Sequence, residues 1–334
     1  MLFVLACALA AALAYRLGRT SLLAASVTDR SSHRRPVSQA GGLAVLPVAA
    51  FLVAVTGQAE ASAFPLLASL LAFVLGLLDD ARDLPGLPKL LALGALAVLV
   101  GSQSPLAAMP VPGLGLVGLA PLPGAVLAAI LVLSLVNVVN FLDGLNGMAA
   151  GTVAVLLGLA AVLTGESLFA LTASALLGFG VVNVAFGRPF LGDSGSLSIG
   201  TLAACGVLIA GGGEGAGPWR AALPAVPFVA DAAVTLVRRA RRGARLMQGH
   251  REHAYQRLAA AGLPHTAVSG AYAGLAALLA VAALAAGPGA SATVLLAIYA
   301  FGFAAWAGLV ASLWRLAPQP ERATEASARI RRPA

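Results

Sequence analysis

Apolar residues run through this chain in blocks of about 15–22, each cut by glycine, proline or charge, and blocks of that length predict helices that cross a bilayer. They fall at 1–17, 40–57, 62–78, 88–102, 121–139, 148–164, 167–185, 195–211, 218–237, 266–287 and 290–314. The expected fold is therefore an all-α polytopic membrane protein with ten or eleven transmembrane helices. The stretch PLAAMPVPGLGLVGLAP, 105–121, is too rich in Pro and Gly for a span and predicts a short extended, hairpin-like excursion at the surface. The opening run has no basic residue ahead of it, and its arginines follow it, so it is expected to stay as a first span and not to be cleaved as a signal peptide.

Composition supports this. Of 334 residues, 60% are hydrophobic and 10% charged, and the mean hydropathy is +0.92. A soluble domain carries about 25% charged residues, so the lipid bilayer is this chain's solvent. Two cysteines, Cys7 and Cys205, sit in apolar runs and are expected to pack rather than pair.

The net charge of +8 acquires meaning from its distribution. With the N-terminus outside and the C-terminus in the cytoplasm, 20 of the 21 basic residues fall on the cytoplasmic side, and only Arg220 is left outside. This satisfies the positive-inside rule. The basic balance is thus topology, together with attraction to anionic lipid and anionic substrates, and nucleic acid is not called for. The expected organisation is one membrane domain over 1–315, with a cytoplasmic recognition loop at 238–265 and a basic cytoplasmic tail at 316–334.

The acids segregate too. Glu60, Glu166 and Glu214 fall in outer loops, whereas Asp79, Asp80, Asp143, Asp193 and Asp231 lie at or near the cytoplasmic surface. In GLLDDARDLPGLPKL, 76–90, two adjacent carboxylates end a helix, with Lys89 following; like charges so close raise each other's pKa unless a cation sits between them. In NVVNFLDGLNGM, 137–148, the polar residues Asn137, Asn140, Asp143 and Asn146 recur every third position. On a continuous helix they would fan out by about 60° per step, but the Asp143-Gly144 and Asn146-Gly147 pairs predict a break there. In FGRPFLGDSGSLSIG, 186–200, Arg188, Gly192 and Ser194 surround Asp193 at the start of a span. Glycine permits close backbone approach, a helix N-terminus favours anions, and Asp suits a hard metal such as Mg²⁺ that in turn holds phosphates. In the basic loop, His250, Arg251 and His253 are better donors to phosphate or sugar than zinc ligands, since no third ligand is in reach. These residues together describe a cytoplasm-facing site for phosphoryl transfer between a soluble nucleotide and a lipid.

With these motifs in order, SSHRRPVSQAGGLAVLP, LLDDARDL, NVVNFLDGLNGMAAG, GRPFLGDSGSLSIG and HREHAYQRL, the chain resembles the polyprenyl-phosphate N-acetylhexosamine-1-phosphate transferases. That membrane family includes phospho-MurNAc-pentapeptide transferase and the O-antigen-initiating GlcNAc-1-phosphate transferases. The resemblance implies transfer of a sugar-1-phosphate from a UDP-N-acetylhexosamine to undecaprenyl phosphate in the bacterial inner membrane, with release of UMP. It also implies Mg²⁺, with Mn²⁺ as a substitute, and a homodimer, since dimers occur in the family. By motif, Asp193 is the metal ligand, and Asp79 and Asp80 are the catalytic pair near the lipid phosphate, where Asp79 either takes a proton or positions the acceptor. Lys89, Asn137, Asn140, Asp143, Asn146, Arg188, Gly192, Ser194, His250, Arg251 and His253 become substrate-binding candidates. His33, Arg34 and Arg35 in the first motif, and Asp231, are further candidates.

Two departures mark this chain. Asn146 stands where bacterial members often carry Asp near the nucleobase, and the first loop reads Pro36-Val37-Ser38 where many read Pro-Thr-Pro. The form of the histidine loop resembles the O-antigen and lipopolysaccharide branch, which uses GlcNAc or deoxy relatives such as FucNAc and QuiNAc. Phospho-MurNAc-pentapeptide transfer is the alternative within the family, and a secondary transporter is the alternative outside it. Transporters place their sites near the bilayer midplane, where this chain offers Ala, Leu and Val.

Overall fold

The computed structural model describes residues 1–25, 37–57, 62–210, 215–245 and 250–317. Ten of the eleven expected segments are single helices, and the ninth is helical in pieces. They correspond to α1 (Leu2–Leu17), α2 (Gly42–Val55), α3 (Ala63–Arg82), α4 (Gly86–Gln103), α5 (Pro121–Leu142), α6 (Met148–Thr164), α7 (Ser167–Phe186) and α8 (Gly192–Ile209). After these come α9 (Gly217–Ala221), α10 (Val226–Arg241), a short α11 (Ala254–Ala260), α12 (His265–Ala286) and α13 (Ala292–Leu316). Eight stretches, counting Gly217–Arg241 as one, are long and apolar enough to cross a membrane, and α1, α2 and α6 are shorter apolar helices. Leu, Val and Phe side chains stay exposed on the outward faces, Leu67, Val98, Val162, Val181 and Phe301 among them, as lipid-facing positions require. The chain is an all-α polytopic membrane protein.

The Pro/Gly-rich segment forms an antiparallel hairpin, β3 (Ala108–Val111) against β4 (Gly115–Gly118). A second, two-residue pairing joins β1 (Ala24–Ala25) to β2 (Val37–Ser38). Between these strands lie His33, Arg34 and Arg35, which are outside the described residues.

The ninth span departs from expectation. It is not one helix but α9, a 3₁₀ turn at Leu223–Ala225, and α10. Pro224 and Pro227 account for the break, because each removes a backbone donor and crowds the preceding turn.

The centre of the bundle is α8. Every residue from Ser194 to Leu208 is buried, although this helix is rich in Gly, Ser and Thr. Two of its hydroxyls bond to carbonyls of their own helix, Ser198 to Ser194 at 2.7 Å and Thr201 to Leu197 at 2.8 Å. This satisfies them locally, and the small side chains let α2, α3, α5 and α6 close around the helix. Its N-terminal turn, carrying Asp193, is thereby held by its neighbours at one end of the bundle.

Candidate active site

Two helix ends meet here. α8 begins three residues earlier than expected, at Gly192, whose φ of +69° takes the chain into the helix through a turn that L-residues resist. A helix N-terminus leaves backbone N–H groups unpaired. Asp80, near the end of α3, supplies the acceptors: its Oδ1 accepts from the Asp193 N–H at 2.8 Å and its Oδ2 from the Ser194 N–H at 2.9 Å. α3 can come this close because residue 76 is glycine; a Cβ there would overlap the Asp193 carbonyl. α3 then stops at Asp83, which adopts a left-handed conformation before Leu84-Pro85.

The neighbouring side chains complete the centre. Lys89 of α4 donates to Asp79 Oδ2 at 2.8 Å and also to Asp193 Oδ2. Asp79 Oδ1 accepts from the Leu84 N–H at 2.7 Å. Asn140 of α5 donates to Asp193 Oδ1 at 2.7 Å and to Ser196 Oγ at 2.9 Å. Asp143 lies just past the end of α5. Burial, then the negative charges of Asp193 and Asp80, hold its carboxyl well above the usual carboxylate range. Four acidic side chains thus gather around one ammonium, which pairs directly with Asp79 and Asp193.

A cluster this short of positive charge suits a hard cation. Among the described residues no three His, Cys, Asp or Glu side chains are close enough to enclose an ion by themselves. Mg²⁺ does not require that, because it is commonly held by one or two carboxylates and completes its shell with water and phosphate oxygens. Asp193, with Asp143 nearby, is a donor set of that kind.

The asparagine motif breaks where expected. α5 ends at Leu142, and a turn leads into α6 through Gly147. Three residues not singled out in the sequence hold this turn. Tyr255 Oη donates to the Phe141 carbonyl at 2.8 Å, Ser269 Oγ donates to the Asn146 carbonyl at 2.8 Å, and Asn183 Oδ1 accepts from the Gly147 N–H at 2.7 Å. Asn183 Nδ2 also donates to the Pro189 carbonyl at 2.7 Å, which ties the turn to the loop entering α8. Asn183 was detectable as a lone amide in an apolar run, whereas Tyr255 and Ser269 carried no signal of this kind. The four polar residues of the motif do not all converge. Asn140 and Asp143 reach the acidic centre, Asn137 turns back to the Leu133 carbonyl at 2.7 Å, and Asn146 keeps a buried Oδ1 without a partner. Ser194 Oγ is buried in the same way.

The histidine loop is organised around Asp231, which is fully buried. Its carboxylate accepts from the N–H groups of Ala254 at 2.8 Å and Tyr255 at 3.1 Å, and from Tyr272 Oη at 2.7 Å; His253 Nδ1 lies 3.2 Å away. His253 is itself buried and stacks between His250, at 5.0 Å, and Tyr255, at 5.8 Å. Asp231 and His253 therefore face inward and support the loop, while Arg251 is exposed. Glu252 pairs with Arg239 and Arg242, and Arg242, then Arg239, hold its carboxyl below the usual range. Arg188 lines a separate cavity with Tyr15 and Arg19.

Comparison with known proteins agrees with this geometry. Residues 62–211, which carry the two acidic motifs and the asparagine motif, match the family model described as glycosyl transferase family 4. The decaprenyl-phosphate N-acetylglucosaminephosphotransferase of Mycolicibacterium smegmatis is 28% identical over 71% of this chain and 68% of its own length. That of Mycobacterium tuberculosis strain H37Rv is 29% identical over 72% of this chain and 70% of its own. The phospho-N-acetylmuramoyl-pentapeptide-transferase of Moorella thermoacetica is 37% identical over 38% of this chain and 46% of its own. A bundle that gathers the motif carboxylates around α8 thus goes together with a match of residues 62–211 to glycosyl transferase family 4 and with similarity to polyprenyl-phosphate N-acetylhexosamine-1-phosphate transferases.

Proposed function

We propose that this protein transfers an N-acetylhexosamine-1-phosphate from a UDP-sugar to a polyprenyl phosphate, releasing UMP and starting a cell-envelope polysaccharide. The observation that carries this reading is the bond network of Asp193, joined through Lys89 to Asp79 and through Asn140 to α5, at one end of a membrane bundle. Carboxylates lacking counter-charge beside a lipid phase suit a diphosphate and a lipid phosphate that must meet. The end of the bundle that holds them is assigned to the cytoplasmic face of the bacterial inner membrane, where UDP-sugars are found and where the arginines concentrate.

Asp193, with Asp143 beside it, would hold Mg²⁺. That ion supplies charge neutralisation on the diphosphate and on the UMP leaving group. A phosphate oxygen of the lipid attacks the β-phosphorus; the bond to the oxygen bridging to the α-phosphorus breaks, and that oxygen leaves on UMP. A phosphate monoester has a second pKa of about 6, so the acceptor is largely ionised at neutral pH and Asp79 acts mainly by holding Lys89 in place. Asp80 positions Asp193 through the backbone of α8. The exposed Arg251 and the basic end of α10 line the approach for the nucleotide.

For the sugar, we favour GlcNAc or a deoxy relative, on the form of the histidine loop and on the names of the relatives that span about 70% of the chain. Purified protein is to be given UDP-GlcNAc, Mg²⁺ and either undecaprenyl or decaprenyl phosphate, with UMP as the readout. UMP formation that needs both lipid and metal, and that is lost in Asp193→Asn with membrane insertion intact, is the expected result. Near-normal turnover by Asp193→Asn would remove the metal assignment. UMP formed with none of a panel of UDP-sugars, including UDP-MurNAc-pentapeptide, would remove the reaction.

A further inference from the structure

Away from the acidic centre, the last turns of α1 and α7 enclose a cavity of about 240 Å³ lined by Tyr15, Gly18, Arg19, Val182, Phe186 and Arg188. None of the site aspartates lines it, and neither does any other acid among the described residues. Arg19 donates to Tyr15 Oη at 3.0 Å, with its guanidinium carbon 5.5 Å from that ring's centre. Tyr15 and Phe186 meet edge to face at 5.4 Å. Among the described residues, neither Arg19 nor Arg188 forms an ion pair with a carboxylate. Two guanidinium groups therefore share one small concavity with no carboxylate partner among the described residues.

The position of the cavity narrows the class of ligand. α7 ends at Phe186 and α8 starts at Gly192, so the cavity lies at the same end of the bundle as Asp193. Gly18 sits against the connecting loop; a Cβ there would lie 3.0 Å from Pro189 Cδ. The aromatic rim opens outward, with Tyr15 43% and Phe186 58% exposed, on the side where α1 and α7 face hydrocarbon. Aromatic rings and arginines gather at the level where bilayer head groups begin. Arginine pairs bind phosphate oxygens, and aromatic faces suit the first carbons of a chain. A soluble phosphate would use only the first half of this lining.

We propose that this cavity binds the phosphate of an anionic membrane lipid, with Arg19 and Arg188 on the phosphate and Tyr15 and Phe186 along the start of the hydrocarbon. The inference does not rest on the proposed reaction, and its test contains no sugar nucleotide. Delipidated protein is offered phosphatidylglycerol, phosphatidylcholine, undecaprenyl phosphate or inorganic phosphate, and bound lipid is counted by native mass spectrometry. Wild type should retain one phosphatidylglycerol or undecaprenyl phosphate per chain in preference to phosphatidylcholine; whichever is held more tightly identifies the source. Arg19→Gln with Arg188→Gln should lower retention by about tenfold, Arg19→Lys with Arg188→Lys should restore much of it, and Arg315→Gln should leave it unchanged. Equal retention of phosphatidylcholine by wild type overturns the proposal without recourse to any variant. So does unchanged retention in the double glutamine variant, or displacement of the lipid by millimolar inorganic phosphate.

Discussion

The Asp80 carboxylate caps the helix that carries Asp193: it accepts the backbone N–H of Asp193 at 2.8 Å and that of Ser194 at 2.9 Å. Adjacent in sequence, Asp79 and Asp80 thus have different tasks. Asp79 faces Lys89, and Asp80 anchors α8. An anion at a helix N-terminus is stabilised by both the free N–H groups and the macrodipole.

Replacing Asp80 by Asn removes the charge and one acceptor. Hydrogen bonds to charged groups contribute about 1.5–3 kcal/mol each, so Asp80→Asn should lower the thermal unfolding temperature in detergent and the transfer rate together. Asp193→Asn should lower transfer with little change in unfolding temperature. Indistinguishable melting curves for the two variants would show that Asp80 does not have this anchoring task.

Gly76→Ala places a methyl against the Asp193 carbonyl, in backbone that cannot yield as a side chain does. Overpacking of this kind costs about 1–3 kcal/mol, and here it pushes α3 off α8 at the site itself. Stability and transfer should both fall. Gly94→Ala on the adjacent α4, where a Cβ meets nothing within 4 Å, should be close to neutral.

Lys89 takes up the same carboxylate oxygens that a metal would need. Without substrate, Lys89→Met should bind Mn²⁺ at least about tenfold more tightly than wild type, read by electron paramagnetic resonance, because a positive charge beside the donor carboxylates is removed. Transfer should nevertheless fall, since Asp79 and Asp193 lose the ammonium that joins them. Weaker Mn²⁺ binding in the variant would mean that Lys89 assists the ion rather than competing with it.

Burial, then the charges of Arg239, His253 and Arg238, pushes His250 down to about 4, against an ordinary value near 6.5. His250 is therefore neutral at physiological pH. Between pH 6.5 and 4 the unfolded chain takes up a proton that the folded chain refuses, so the contribution of this group to stability is complete above 6.5 and is lost as pH falls toward 4. The His250→Gln variant should show a shallower loss of unfolding temperature over that window. In an NMR titration, the imidazole signal missing from the variant should stay neutral down to pH 5 in wild type; a midpoint near 6.5 would refute the shift.

The eleven helical segments, the hairpin, the break after Leu142 and the gathering of acids at one end were all readable from the sequence. Hydropathy over about 20 residues and Gly or Pro at a break are local properties, and the bilayer makes them decisive because no unpaired backbone survives in hydrocarbon. The split of the ninth span was written in Pro224 and Pro227 but was masked by the length of the apolar run. Tertiary packing alone decided the rest: that Asp80 serves α8 rather than standing free beside Asp79, that Asn137 turns back to its own helix while Asn140 reaches Asp193, that Asp231 and His253 face inward, and that Asn183, Tyr255 and Ser269 hold the asparagine turn. Polar atoms in a membrane bundle must be paired, and which partner each one finds depends on helix rotation and depth. Those are properties of how helices pack, which no single segment contains.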